Sequence, residues 1–415
     1  MHPFSWLFLG VVLAALAVQA WLARRQTGHV RAHRDHVPEA FQGRIGLESH
    51  QHAADYTVAR TRFGLVEAAW GTVILLGLTL GGGLEALDRL WRTAGWGEVA
   101  TGTGFLVSLG LVTGLLELPF TAYRTFVIEQ RFGFNRTTTG LFVTDTLKGA
   151  LLALVLGAPL AAVVLWLMAH AGSGWWLYAW LVWLGFTFLM VWAYPAVIAP
   201  LFNRFTPLEN PAVRERIDGL LERTGFAAKG LYVMDGSRRS SHGNAFFAGF
   251  GRNRRIVFFD TLLEHLLPEE VEAVLAHELG HFRRRHIRKR LAVTAALSLA
   301  GLALLGWLIG NPTFYTALGV STPSLHAGLA LFILVAPVLT FFLHPLSARF
   351  SRRHEYEADD FAAEVHDPRD LIRALVKLYQ ENAATLTPDP VHSAFYDSHP
   401  PAPLRIAHLS TKIPG

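Results

Sequence analysis

Residues 277–281 read His277-Glu278-Leu279-Gly280-His281, two imidazoles at i and i+4 with a carboxylate beside the first. On a helix that spacing puts both rings on one face, a turn apart, within reach of a single divalent cation. Glu278 can then take a proton from water at that cation, the chemistry of the His-Glu-x-x-His metalloproteases. Two surface histidines on an amphipathic helix would meet the same pattern, so the rest of a zinc site must be sought. A catalytic zinc needs three protein ligands and an open fourth position. The extended three-histidine pattern would need His at 287, but that residue is Ile287, and His286 falls off the ligand face. The chain has no Cys, so the third ligand is a His or a carboxylate from elsewhere. Residues 351–362 supply one: Glu355 and Asp359 stand at i and i+4 on a second expected helix. One can ligate while the other accepts the N–H of a ligating imidazole and so fixes its orientation. His354 competes with Glu355 for the metal, and Glu357 points to a different face. An acidic face neutralised by Arg352 and Arg353 would give the same spacing.

These residues need elements to hold them. Pro268, Glu269 and Glu270 suit a helix start, where acids oppose the macrodipole, and Val271, Val274 and Leu275 continue at helical spacing. The chain around them is apolar: 415 residues, 52% hydrophobic, 17% charged, mean hydropathy +0.31. Ordinary soluble domains carry about 25% charged residues. A disordered chain, a soluble enzyme and a fibrous repeat are excluded. Seven stretches are long and apolar enough to span a bilayer: 5–22, 63–80, 102–120, 147–170, 175–199, 291–310 and 325–343. The first lacks Lys or Arg before it and is followed by Arg24 and Arg25, as in an uncleaved anchor.

The net charge of +5 is explained by topology rather than by nucleic acid. Loop one carries Arg24, Arg25, Arg31, Arg34, Arg44, Arg60 and Arg62, and loop three Arg124, Arg131 and Arg136. Loop five and the C-terminal tail are also Arg-rich. Loop two sets Arg89 and Arg92 against Glu85, Asp88 and Glu98, and loops four and six have no basic residue. The N-terminus is therefore expected outside and the C-terminus inside, which an odd number of spans satisfies. The expected organisation is a membrane part over 1–199, a cytoplasmic metalloprotease part over 200–290, two further spans over 291–343 and a second metalloprotease part over 344–415. The Arg- and Ala-rich composition fits a GC-rich bacterial genome, hence a multi-pass protein of a bacterial inner membrane, or of the endoplasmic reticulum in a eukaryote.

Residues 244–250 and 255–259 read as two β-rich runs joined by 249–253. Such a hairpin edge can take an extended peptide as an added strand. Asn244 can hold its backbone or simply serve as a turn residue after Gly243. Phe246, Phe247 and Phe250 suit a core.

With these residues in view, the chain resembles the type I CAAX prenyl endopeptidases, integral-membrane zinc proteases that cleave after a prenylated cysteine. The likeness covers nearly the whole chain. It is carried by 129–138 (Glu-Gln-Arg-Phe-Gly-Phe-Asn-Arg-Thr-Thr), 240–250 (Ser-Ser-His-Gly-Asn-Ala-Phe-Phe-Ala-Gly-Phe), 255–263, His277–His281, Glu355–Asp359 and 398–405. The resemblance implies an α-helical polytopic membrane protein: seven transmembrane helices enclose a chamber, capped by a cytoplasmic α+β zinc metalloprotease domain. It implies one Zn2+ on His277, His281 and Glu355, Glu278 as general base and Asp359 orienting a ligand. Asn244, His399 and Arg405 would line the cleft, with His242 and Phe246 joining the substrate-binding set. Glu129, Arg131 and Asn135 would gate the chamber from loop three.

The expected mechanism follows from these roles. Zinc lowers the pKa of bound water to about 7 and polarises the scissile carbonyl. Glu278 moves the proton, and His399 helps to hold the oxyanion. The expected partners are a peptide or protein substrate, with or without a prenyl group, and the lipid bilayer; no nucleic acid is expected. If the source is bacterial, where prenylation is not expected, quality control of membrane proteins is the alternative role. A metal-regulated transporter is a rival class, although ionisable residues in the spans are few: Glu67, Glu117 and His170. A site-two intramembrane protease is another, but Glu269, Glu270, Glu272, Arg283, Arg284 and Arg285 argue against burying the motif in lipid.

Overall fold

Seven helices of the computed structural model are long and apolar enough to cross a membrane: Pro3–Ala32, Leu47–Leu78, Glu98–Glu129, Thr139–His170, Gly172–Phe202, His286–Leu308 and Leu325–Val365. The structure describes residues 2–248 and 255–413. Each expected span lies within or close to one of these helices, and most helices run on past the apolar stretch. The additions are polar: they project several turns beyond the lipid-compatible length and join the polar domain built from 200–285 and 344–413.

The spans meet mainly at the end remote from that domain. Buried there are Phe8 and Val12 of the first span, Phe105 and Leu109 of the third, Leu165 of the fourth, Trp175 of the fifth, Leu305 of the sixth and Ala327, Ala330 and Leu331 of the seventh. Polar ties reinforce that end. Ser321 donates its N–H and hydroxyl to Glu85 at 2.9 and 2.7 Å, and buried His326 Nε2 lies 2.6 Å from Asp88 Oδ1. Arg89 and Arg92 pair with Glu85 and Asp88, which accounts for the balanced charges of loop two. Towards the middle of the bundle few side chains are buried, and a cavity of about 580 Å3 opens between the third and fourth spans beside Gly110, Gly114, Gly149 and Gly157. The bundle is packed most densely at the end remote from the sheet; nearer the sheet the first and second spans pack through Val30, Ala54 and Val58, and the second and third through Tyr56 and Ile128.

Over the other end sits a four-stranded sheet with helices. Strands β1 (Phe205–Pro207), β2 (Gly230–Met234), β3 (Ala245–Ala248) and β4 (Arg255–Phe259) lie in the order β1-β2-β4-β3. The β2–β4 pair is parallel, and β3 pairs antiparallel with β4, Ala245 opposite Phe258. The expected β runs therefore pair; their junction at 249–254, with Phe250, lies outside the described residues. The core under the sheet joins Ile256, Phe258, Val271 and Leu275 to Ile217, Leu220, Phe361, Leu371, Leu375 and Leu409. Phe41 and Ile45 of loop one complete it, so this core draws on a segment upstream of the second span.

Candidate metal centre

The motif helix (Pro268–Arg283) starts where Pro268 and the two acids place it; Glu270 turns back to accept from the N–H of Leu267 at 2.8 Å. It packs against the carboxylate helix (His344–Val365). The crossing point is Gly280. A Cβ built there would stand 2.8 Å from Cα and 2.9 Å from the carbonyl oxygen of Ala358. Only a residue without a side chain lets the two backbones approach this closely. The contact brings together the faces that carry His277, His281, Glu355 and Asp359.

His277 Nε2 lies 3.4 Å from Glu355 Oε2, and His281 Nε2 lies 3.4 Å from Glu355 Oε1. Among the described residues these three form the group of His and acidic side chains whose ligand atoms converge, all within 4.8 Å of one another. Tetrahedral ligands about 2.1 Å from one ion stand about 3.4 Å apart. Glu355 is 1% exposed, and its Oε2 has no hydrogen-bond partner. A buried carboxylate oxygen left unpaired is costly unless a cation meets it. The donor set, two imidazoles and a carboxylate, fits zinc.

Behind His277, its Nδ1 lies 2.8 Å from Oδ1 of fully buried Asp359. Arg405, on the helix Ala402–Ser410, grips the same carboxylate through Nε at 2.9 Å and Nη2 at 2.5 Å. Burial and the Arg405 charge press the His277 imidazolium down, but Asp359 and Glu355 outweigh them and hold its pKa up at about 9. His281, with no carboxylate on its outer nitrogen, is driven down to about 3 by burial and by its neighbour His277. Arg405 is itself 6% exposed. It stands behind the imidazole rather than open in the cleft, because its guanidinium is spent on Asp359.

Glu278 has no hydrogen-bond or ion-pair partner among the described residues, and burial pushes its carboxyl up, with Glu355 adding to the effect against the pull of His277. That is the condition of a poised base. His399 Nε2 reaches to 3.4 Å from Glu355 Oε2 while its side chain stays 63% exposed. Its loop is fixed by Arg352, which donates to the carbonyls of Ser393, Ala394 and Asp397 at 3.2, 3.2 and 2.8 Å.

The alternatives for the third ligand are occupied elsewhere. His354 stacks on His286 with ring centroids 4.0 Å apart, and Glu357 meets His286, Lys289 and Arg353.

Asn244 is exposed at the head of the edge strand β3, its Oδ1 accepting from the N–H of Ala245 at 2.8 Å. Phe246 is half-buried, edge-on to Phe259. His242 stands in a joint between membrane and catalytic parts. It stacks on Phe134, sits 3.6 Å from Glu129 and lies 3.1 Å from Oδ1 of Asn382, an oxygen that also accepts from the N–H of Gly243. Tyr56 of the second span donates to Glu129 at 2.7 Å, and Asn135 bridges to Ser240. The two runs 129–138 and 240–250 are thus neighbours in space. A π-helical turn over Arg124–Glu129 ends the third span and sets the direction of Glu129.

Sequence reasoning missed Gly280, Tyr56, Asn382 and the positioning part of Arg352. Of these only Gly280 leaves a trace: a glycine inside a helix costs about 1 kcal/mol against alanine, so its presence asks for a packing reason.

Comparison with known proteins agrees with this architecture. Residues 26–204 match the description "CAAX prenyl protease N-terminal, five membrane helices", and residues 207–413 match peptidase family M48. A CAAX prenyl protease 1 homolog of Arabidopsis thaliana is 33% identical over 96% of this chain and 96% of its own length. The Homo sapiens homolog is 33% identical over 98% and 95%. The crystal structure of S. mikatae Ste24p superposes with a TM-score of 0.90 at 28% identity, covering 99% of both chains. The chain belongs to peptidase family M48, with the membrane domain of the CAAX prenyl proteases, and is a multi-pass membrane metalloendopeptidase.

Proposed function

We propose that the protein hydrolyses peptide bonds of membrane-associated, CAAX-type lipid-modified substrates, using one zinc ion held by His277, His281 and Glu355. The observation that carries this reading is the pair of 3.4 Å separations joining both imidazoles to the two oxygens of Glu355. When bound, zinc supplies Lewis acidity to water and to the scissile carbonyl. Glu278 takes the proton of the attacking water and delivers it to the leaving amine. His399, open to solvent beside Glu355, donates to the oxyanion as it develops. Asp359 and Arg405 keep the Nε2 of His277 turned to the ion.

The substrate lies along β3. The N–H of Phe259 donates to the Asn244 carbonyl at 2.9 Å, so in antiparallel alternation the N–H of Ala245 points to the free edge. Asn244 occupies it at rest and releases it to a peptide carbonyl. His242 acts through the joint with Glu129 and Asn382, setting the start of that strand, and Phe246 lends an apolar wall. The cage receives the apolar part of the substrate. The Arg distribution supports an N-terminus outside and a metal centre at the cytoplasmic face, the same in a bacterial cell membrane or in the endoplasmic reticulum.

The test is metal analysis of the purified protein together with cleavage of a farnesylated CAAX peptide and its unprenylated twin, with and without chelator. Stoichiometric zinc and chelator-sensitive cleavage favouring the farnesylated peptide are expected. Equal cleavage of both peptides would remove the lipid preference, and cleavage without metal would remove the mechanism.

A further inference from the structure

The outer nitrogens of the two motif imidazoles have different partners. His277 faces a carboxylate, whereas His281 faces another imidazole: its Nδ1 lies 3.0 Å from Nδ1 of His286. Nε2 of His286 in turn lies 3.0 Å from Oε2 of Glu357. His286 is 1% exposed and is clamped by the stacked ring of His354. On an unbroken helix residues i and i+5 sit about 140° apart and cannot touch. The contact exists because Arg285 adopts φ +58 between the motif helix and the sixth span, a left-handed turn that folds the first residue of that span back onto His281. Such a conformation is unfavourable for a side chain with a Cβ and persists where the surroundings hold it.

One set of proton positions satisfies the chain of contacts and leaves His281 free to bind a cation. An imidazole that offers Nε2 to a metal carries its proton on Nδ1. His281 Nδ1–H then donates, His286 Nδ1 accepts, and His286 Nε2–H donates to Glu357. Reversing the chain would put the His281 proton on Nε2, aimed at Glu355, and close the site. We propose that His286 and Glu357 are positioning residues that select the metal-binding tautomer of His281 and hold its ring in place. This rests on the zinc reading above and extends it to the sixth span, whose first residue becomes part of the metal centre's support.

The test uses the full-length protein in detergent, with zinc affinity measured by competition against a chelating indicator. Outer partners of ligating histidines contribute about 10–100-fold in metal affinity, and His286→Leu is expected to weaken zinc by that factor. His286→Asn, whose Oδ1 can replace the accepting nitrogen, is expected to recover most of the loss. Peptide cleavage by His286→Leu should return as free zinc is raised, which a general packing defect would not do. If His286→Leu fails to fold, Glu357→Ala carries the test, with severalfold weaker zinc supporting the proposal and unchanged affinity overturning it. Zinc affinity of folded His286→Leu within twofold of the parent overturns this inference alone, provided that Glu355→Ala loses the metal. A parent protein that holds no zinc overturns both this inference and the function proposed above.

Discussion

Replacing Gly280 with alanine adds one methyl group where two helices touch backbone to backbone. The new Cβ would lie 2.8 Å from Ala358 Cα and 2.9 Å from its carbonyl oxygen, where ordinary contact begins at 3.4 Å. The helices must part by about 0.6 Å, since neither obstacle is a flexible side chain. Overpacking of this kind costs about 1–3 kcal/mol. Alanine in a helix interior returns about 1 kcal/mol over glycine. Net stability should therefore fall by no more than about 2 kcal/mol. The metal site is less forgiving, because ligand distances hold to about 0.2 Å, and the separation falls between the helix carrying both histidines and the helix carrying Glu355. Gly280→Ala is expected to fold, with a modestly lower melting temperature, and to bind zinc at least about tenfold more weakly. Chelator competition and thermal unfolding in the same detergent measure the two effects. Unchanged zinc affinity would refute the claim that the Gly280–Ala358 contact sets the ligand spacing.

Glu278→Gln should retain zinc and lower cleavage of a farnesylated peptide by roughly 10²–10⁴-fold, the usual worth of a general base; mass spectrometry of products and metal analysis check both halves. Burial raises the Glu278 carboxyl in the metal-free protein, so there the carboxylate is lost by protonation as pH falls through that raised value, and a bound dication, which favours the carboxylate, should bring it back down. The protonation midpoint of Glu278, followed by infrared difference spectroscopy of the chelated protein, should therefore lie above the ordinary glutamate range, move down on adding zinc and be missing in Glu278→Gln. Arg405→Met leaves Asp359 buried with His277 alone, and breaking such a pair costs about 3–5 kcal/mol. The double variant Asp359→Asn with Arg405→Met should regain much of this, and a double variant as unstable as the single would deny the coupling. Ala245→Pro removes the outward N–H of β3; KM should rise by roughly fivefold, the worth of one hydrogen bond of about 1 kcal/mol, with kcat little changed.

Much of the set of spans and of the two faces that form the metal centre was legible because both rest on periodicity, whereas the choice of Glu355 over His354 as the third ligand came from the family resemblance. Twenty apolar residues announce a span whatever their neighbours, and i, i+4 spacing announces a shared face for His277 with His281 and for Glu355 with Asp359. What stayed hidden depends on chain reversal and on contacts between distant segments. His286 looked off-face because the reading continued the motif helix through it; the left-handed Arg285 ends that helix and turns the residue back. Arg405 was expected to face the cleft, yet the buried charge of Asp359 draws it behind the metal ligands. Tyr56, Glu129, His242 and Asn382 are separated by up to hundreds of residues, and nothing local to any of them signals that they meet.

The far ends of the spans are stitched together. Glu85, Asp88, Ser321 and His326 bind the second loop to the start of the seventh span, so the end remote from the metal centre is held by buried polar ties as well as by apolar packing. For a substrate that enters the bundle from the metal-centre side, as proposed above, that tie leaves retreat past the blade or sideways escape into the lipid as the ways out for a severed fragment. Turnover would then be governed as much by departure as by bond breaking, and loosening those ties would give departing fragments a second exit.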